Sequence, residues 1–479
     1  AWFIASCKED GMRPGDVPVH DGQTQKMAEI YQAYQDQCER EGVVDFAELL
    51  LRTYELMRDD AMLREHYQRR FRHILVDEFQ DTNRLQYRWL QMFAPPPDGL
   101  QPGSPQGVFA VGDDDQSIYA FRGARVGNMA DFLLEYSVQH QIKLEQNYRS
   151  CGSILDTANE LISHNKSRLG KNLRTDQGLG ELIRVVESPS DYAEAQWFLE
   201  EAQQLHRAGI ERREIALLYR SNAQSRVLES ALFNAGVPYR VYGGLRFFER
   251  AEIKHALAYL RCVANPDHDL AFERIVNVPK RGLGDATLEQ LHVYARRKGL
   301  PLIAAARQLI ETDELKPKPR GTLRELTKAF ARWNSLIDTM KHNELAEMVP
   351  EESGYTDMWQ KERTPEAAGR LENLKELVRS MEEFPDLAAF LEHVALVMDT
   401  NDNSDDERIS IMTLHAAKGL EFETVFLPGW EESLFPNQRA LDESGKAGLE
   451  EERRLAYVGI TRARRRAKLY FATNRRLHG

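Results

Sequence analysis

The sequence has 479 residues, 42% hydrophobic and 29% charged, with a formal net charge of -12. These are ordinary values for a globular chain of two to four domains, and they exclude a uniformly basic nucleic-acid binder but not a local basic groove, because phosphate contacts follow the local field. No apolar run approaches the ~20 residues a membrane span needs, and the cysteines (Cys7, Cys38, Cys151, Cys262) form no Cys-x-x-Cys motif, so a reduced, cytosolic setting without a membrane is the expectation.

The N-terminal AWFIASCKEDGMRPGD has neither a basic start nor a long apolar stretch, so it does not read as a signal peptide. It lacks an initiator methionine and reads as the start of a fragment or processed chain. Residues 27–58 carry apolar positions at helical spacing. HILVD (73–77) and VFAVGD (108–113) then read as short buried strands ending in acid, with a helix from Arg84 to Phe93 between them and a Pro/Gly-rich loop at 95–107. IKLEQN (142–147), ELIRVV (181–186), IALLYR (215–220) and YRVYG (239–243) repeat the strand signal between helical stretches, the pattern of an α/β fold with a mostly parallel sheet. From Ala251 to Asp399 the strands give way to helices, broken at NPDHD, PKRGLGD and KPKPRG. After a polar linker, NDNSDDE (401–407), strands return at ISIMTLH (409–415), TVFLPG (424–429) and AKLYFAT (467–473). A helical domain is therefore inserted into an α/β domain. The last 27 residues hold eight Arg and one Lys with no Asp or Glu, a pattern compatible with an anion site or a solvated face.

The chemistry concentrates at strand ends. ILVDEFQD (74–81) delivers Asp77 and Glu78 to the carboxyl end of a strand, where ligands bind in α/β folds. An Asp there can hold Mg²⁺ through its water shell, and a neighbouring Glu can orient or deprotonate an attacking water. GDDDQSIYAFRGA (112–124) sets Gln116, two aromatics and Arg122 beside one another, and LEQNYRS (144–150) puts Tyr148 and Arg149 at a strand end. Arg149 can pair with a phosphate and Tyr148 can stack on a base; singly, each reads better as a surface arginine or a packed tyrosine.

Three further blocks, YRSNAQSR (219–226), TLHAAKGLEF (413–422) and EERRLAYVGITRAR (451–464), complete a series that closely resembles the UvrD/Rep/PcrA family of superfamily 1 DNA helicases, with the UvrD branch nearest. The resemblance runs from the first residues to the last and includes YGGLRFFER (242–250) and NRRLHG. It implies RecA-like P-loop NTPase motor domains with parallel sheets, ATP between them, and a helical inserted domain. Residues 1–70 then correspond to the helical remainder of a domain inserted in motor domain 1, 71–138 to part of that motor domain, 139–245 and 406–479 to motor domain 2, and 246–405 to its helical insertion.

The resemblance also implies roles. Asp77 serves Mg²⁺ and Glu78 the metal and the water, and Gln80 couples this site to neighbouring motifs. Gln116 senses the γ-phosphate, Arg149 and Arg462 reach the phosphates, Tyr148 stacks on adenine and Glu421 meets the ribose. Tyr119 and Phe121 stack on bases of single-stranded DNA, with Arg122 beside them. Many relatives have Trp where this sequence has Phe121, which keeps a stacking face but loses area. Thr413 and His415 fall in a motif that touches the DNA backbone, and Arg281, Gly282 and Gly284 lie in a glycine turn that meets duplex phosphates through backbone amides. The implied activity is 3′-to-5′ ATP-dependent translocation and unwinding, in excision or mismatch repair and replication. Its partners are single-stranded DNA, single/double-strand junctions and repair proteins, and it acts as a monomer or DNA-dependent dimer in the bacterial cytoplasm at the nucleoid. A non-catalytic DNA- or partner-binding derivative is a second reading. A helicase–nuclease subunit of the AddA/RecB kind is a third, disfavoured because the sequence contains no nuclease domain.

No Gly-x-x-x-x-Gly-Lys-Ser/Thr loop occurs in these residues; RLGKN (168–172) and ESGKAG (443–448) lack the pattern. The sequence therefore reads as a family member without its N-terminal segment, with an incomplete sheet in motor domain 1. Without that loop's lysine and amide cradle the β- and γ-phosphates lose their main ligands. The polypeptide of these 479 residues alone is expected to show weak or no steady-state ATP hydrolysis with single-stranded DNA; robust turnover would contradict it.

Overall fold

The computed structural model describes residues 2–96, 107–166, 168–362, 364–399 and 407–475. The Pro/Gly-rich loop falls largely, and the polar linker almost wholly, outside these residues. The chain divides into two compact units: Ala1–Arg184 with Ala417–Glu423 and Glu431–Ala467, and Val185–Ala416 with Thr424–Trp430 and Lys468–Gly479.

In the first unit, helices Gly22–Glu41 and Phe46–Asp59 cover the stretch read as helical. Asp21 and Asp45 cap their N-termini by accepting from the backbone N–H of Thr24 and Glu48. Strands β1 (His73–Val76) and β2 (Gly107–Ala110) pair in parallel, with His73 opposite Gly107 and Val76 opposite Ala110. The sequence predicts both as buried strands, but each alternates exposed and half-buried residues. Leu75 is 77% and Phe109 61% exposed on a two-stranded ladder, whereas parallel sheets are normally covered on both faces. Phe79, Tyr87, Leu90 and Phe132 pack against the other side. The strand predicted over 142–147 is not formed: the chain there makes one bridge, Gln146 to Arg174, and Ile142 and Leu144 are each 77% exposed. An apolar alternation gives no strand where no neighbouring ladder takes up its backbone groups.

The remaining strands are β3 (Arg184–Ser188), β4 (Ile215–Tyr219), β5 (Tyr239–Val241), β6 (Ile409–Thr413), β7 (Phe422–Leu427) and β8 (Ala463–Ala472). The second unit is built on their six-stranded sheet, ordered β3-β8-β7-β4-β6-β5. β4 lies between β7 and β6 and pairs with both in parallel, which explains its continuous apolar run and complete burial. Leu217, Ile411, Phe426 and Tyr470 form its core with Phe198, whose ring meets Phe426 edge-on at 4.9 Å. β8 starts four residues before the predicted AKLYFAT, because its first turns are arginine-rich and carry no apolar signal.

Between Ala251 and Asp399 the chain is helical, as predicted, around a core that includes Tyr259, Phe330 and Trp333. The block YRSNAQSR anchors these helices to the sheet. Arg226, 4% exposed, donates to Glu376 at 2.5 Å and to Glu383 at 3.1 Å, and Ser221 donates to Glu372 at 2.9 Å. Burial drives the Glu376 carboxyl above its ordinary pKa, with Arg226 opposing the shift. Removing one member of such a pair leaves the other charged and dry. Arg226→Ala is therefore expected to cost about 3–5 kcal/mol, read from denaturant midpoints, whereas a paired Arg226→Met/Glu376→Leu chain should recover most of it.

Candidate functional site: a charged pocket and an aromatic loop

β1 and β2 end side by side, and the two loops that follow are locked together. Val111 N–H donates to Val76 at 2.8 Å, and Phe79 N–H donates to the Val111 carbonyl at 3.0 Å. Gln80, fully buried, bridges them: its Nε2 donates to Glu78 Oε2 at 2.6 Å and its Oε1 accepts from Asp113 N–H at 2.8 Å. Gly112 makes this approach feasible, since a Cβ there would sit 2.7 Å from Gln80 Oε1 and 3.3 Å from Phe79 N. Glu78 takes the left-handed conformation, φ 49° and ψ 43°, which costs a non-glycine residue strain and persists only where its surroundings hold it.

The holding group is Lys418, which the sequence reading did not single out. Its Nζ lies 2.6 Å from Asp81, 3.3 Å from Glu78 and 3.0 Å from the Gln116 carbonyl, and 5.2 Å from the centroid of the Tyr119 ring. The only advance signal was a lysine among small and apolar residues in TLHAAKGLEF. Gln116 continues the chain of contacts, with its Oε1 3.5 Å from Arg462 Nη2.

Arg462 is 1% exposed at the end of helix Gln438–Ile460 and donates to the Val458 and Leu420 carbonyls at 3.0 and 3.3 Å. Burial, with Arg149 as a second cation nearby, pulls its pKa down to about 10. Arg149 donates to Glu421 at 2.7 Å and holds that carboxyl below its usual range. The turn carrying Arg149 is fixed by Asn147, whose Oδ1 accepts from the N–H of Arg149 and Ser150 at 2.9 and 2.8 Å. Ser150 in turn donates to the Ala463 carbonyl at 2.6 Å. Tyr148, Arg149, Glu421, Arg464 and Arg465 line an open pocket of about 780 Å³, with the Tyr148 ring 81% exposed.

Asp77, Glu78, Gln116, Arg149, Arg462, Tyr148 and Glu421 thus gather in the first unit. Two clustered guanidiniums, one of them desolvated, suit a polyphosphate, because an anion restores what burial takes from the cation. Asp77 fits a hard cation: its carboxylate is exposed, and one oxygen accepts only from Glu78 N–H at 2.9 Å.

The same loop that carries Gln116 carries the aromatics. The Tyr119 and Phe121 rings lie 6.1 Å apart, Phe121 is 43% exposed, and the Arg122 guanidinium sits 5.3 and 5.4 Å from the two ring centroids. Thr413 and His415, both half-buried, lie at the end of β6 in the second unit, where Thr413 Oγ1 accepts from Ala416 N–H at 3.2 Å. Arg281, Gly282 and Gly284 lie apart from them, among the helices. Both glycines are exposed, and Gly282 has φ 73°. Arg281, however, turns inward. Its guanidinium donates to the Ile275, Val278 and Ser353 carbonyls at 2.9, 3.0 and 3.1 Å and to Tyr259 Oη at 2.6 Å. The side chain is the turn's internal brace and is not available as a phosphate contact, so the outward face belongs to backbone.

Residues 142–476 match the family model for the UvrD-like helicase C-terminal domain, and residues 1–137 match that for the UvrD/REP helicase N-terminal domain. The chain belongs to the UvrD-like helicase family. Its α/β regions with parallel sheets are RecA-like, as in that family. Over its whole length it is 44% identical to the proteins named DNA helicase II of Haemophilus influenzae and Escherichia coli, covering 66% of each. It is 37% identical, over 99% of its length, to ATP-dependent DNA helicase PcrA of Staphylococcus epidermidis, covering 65% of that protein. It spans about two-thirds of the length of these relatives. No helix among the described residues is long and apolar enough to cross a membrane.

Lys418 yields a pH-dependent expectation. Burial already raises the Asp81 carboxyl pKa, with Lys418 opposing, and Asp81 Oδ1 has no hydrogen-bond partner. Lys418→Ala should raise it further and cost about 1–3 kcal/mol at neutral pH, because it removes the cation that offsets the carboxyl's burial. A raised folded pKa favours folding at low pH, so the loss should fade as pH falls through that pKa toward about 4. Urea titrations of both chains across this range measure it.

Proposed function

We propose that this chain is the greater part of an ATP-dependent DNA helicase that translocates 3′ to 5′ on single-stranded DNA. The observation that carries the reading is the unbroken run of contacts from Glu78 through Lys418 and Gln116 to Arg462, beside the Arg149–Glu421 pocket. The names of its relatives, DNA helicase II and ATP-dependent DNA helicase, support it.

In this reading ATP is the substrate. Tyr148 offers an exposed ring to the adenine, Glu421 accepts from the ribose, and Arg149 and Arg462 neutralise charge that grows on the transferred phosphoryl group. Glu78, strained and steered by Gln80 and Lys418, takes the proton of the attacking water. Asp77, with Glu78 beside it, would hold Mg²⁺, which when bound offsets phosphate charge. Gln116 reports the γ-phosphate to its own loop, where Tyr119 and Phe121 stack on bases and Arg122 supports both rings. Thr413, His415 and the backbone at Gly282 and Gly284 contact DNA phosphates. The domain boundaries inferred from the resemblance belong to the same proposal, as do action at single/double-strand junctions, in repair and with repair proteins as partners, and residence in the bacterial cytoplasm.

The complete gene product should hydrolyse ATP faster with single-stranded DNA and unwind 3′-tailed but not 5′-tailed duplexes. The reverse preference would sink the polarity, and no DNA stimulation would sink the motor reading. Phe121→Ala should lose about 1–3 kcal/mol of single-strand affinity and unwind fewer base pairs per ATP. Equal unwinding per ATP would defeat the coupling role of this loop.

A further inference from the structure

RLGKN (168–172) fails as a phosphate loop, yet it holds the loop that carries Gln116. Arg168 grips Asp115 with two bonds, Nε to Oδ1 at 2.9 Å and Nη2 to Oδ2 at 2.6 Å, and the Asp115 side chain is 2% exposed. Leu169 N–H donates to Asp114 Oδ2 at 2.6 Å. Lys171 pairs with Asp113 and lies 3.3 Å from Asp115 and 5.6 Å from the centroid of the Tyr457 ring. Arg168 also donates to the Lys171 carbonyl at 3.1 Å, closing the segment on itself. The three carboxylates lie close enough together to share a cation, but Lys171 and Arg168 already occupy Asp113 and Asp115, and the Leu169 N–H occupies Asp114.

The clamp reaches the reacting end of the loop through Asp113. Gln116 Nε2 donates to Asp113 Oδ2 at 2.6 Å, and the other end of the same amide, Oε1, faces Arg462. An amide has a donor end and an acceptor end, so an anchored carboxylate on one side fixes which end the arginine meets. Were Asp113 free to swing, the amide could turn over and present N–H to a cation. A bidentate arginine–carboxylate pair shielded from water is the strong, geometrically specific kind of anchor.

We infer that Arg168 and Lys171 are positioning residues for hydrolysis: they hold Asp113–Asp115 so that the Gln116 amide is presented in one orientation to Arg462 and the nucleotide. The inference rests on the ATP-site reading above and adds to it a segment outside the residues which that reading assigns to nucleotide or DNA.

The test uses the complete gene product with Lys171→Ala, Lys171→Arg, Gln116→Ala and the Lys171→Ala/Gln116→Ala double variant, comparing kcat and KM for ATP at saturating single-stranded DNA, with melting curves for each. A misaligned catalytic group can cost up to about 100-fold, so Lys171→Ala is expected to lower kcat by about 10-fold or more with KM nearly unchanged. Lys171→Arg should recover most of kcat. In the Gln116→Ala background, removing Lys171 should cost nothing further, because groups acting as a unit are not additive. Unchanged kcat in Lys171→Ala, or an equal further loss in the Gln116→Ala background, overturns the inference, the latter showing a structural role only. Wild-type protein without DNA-stimulated hydrolysis would instead overturn the motor reading on which it rests.

Discussion

A single buried side chain amide ties the first unit's chemistry together. Gln80 has one donor end and one acceptor end, and it uses both at once, on Glu78 after β1 and on Asp113 after β2. With Ser117 Oγ donating to its carbonyl at 3.2 Å, the residue is pinned on three sides. The two loops therefore cannot move independently without leaving buried polar groups unpaired, which costs more than the bonds themselves contribute. The left-handed Glu78, the close approach at Gly112 and the placing of Gln116 are all consequences of that constraint.

Around this hub the charges are arranged as opposed layers. Acids follow β1 and β2, and cations from distant parts of the sequence close over them: Lys418 on Glu78 and Asp81, and Lys171 and Arg168 on Asp113 and Asp115. Arg462 has no such complement. It sits among carbonyls beside another arginine, and burial together with Arg149 lowers its pKa even though Asp113 and Glu421 oppose the shift. In the proposed reading such a cation serves binding as well as structure.

The strands that lie inside the six-stranded sheet were legible because burial on both faces writes itself as an apolar run; IALLY is the clear case. The start of β8 was not, because Arg464 and Arg466 occupy it and are accommodated by Glu421, Glu181 and Glu423, partners no local pattern reveals. IKLEQN shows the converse failure, a strand-like alternation with no ladder to join. Among candidate site residues, Asp77, Glu78 and Gln116 do follow strands as the sequence pattern indicated, whereas Tyr148 and Arg149 follow a single bridge and no strand. The clamping cations were not readable, since Arg168 and Lys171 act across more than fifty positions and Lys418 across more than three hundred. The inward role of Arg281 was equally unreadable: only the packed helices reveal the carbonyls its side chain serves.

The inward turn of Arg281 has a bearing on binding kinetics. Loops that meet ligands through backbone amides usually lose conformational freedom when the ligand arrives, and that loss weakens association. Here Asn277 accepts from Arg281 N–H at 2.8 Å and donates to the Leu283 carbonyl at 2.9 Å, while the guanidinium braces the turn from beneath. The ordering cost falls on folding rather than on the encounter. In the proposed reading, an anion reaching Gly282 and Gly284 would meet a turn that is already braced, so contact there would form and break quickly, without waiting for the loop to rearrange.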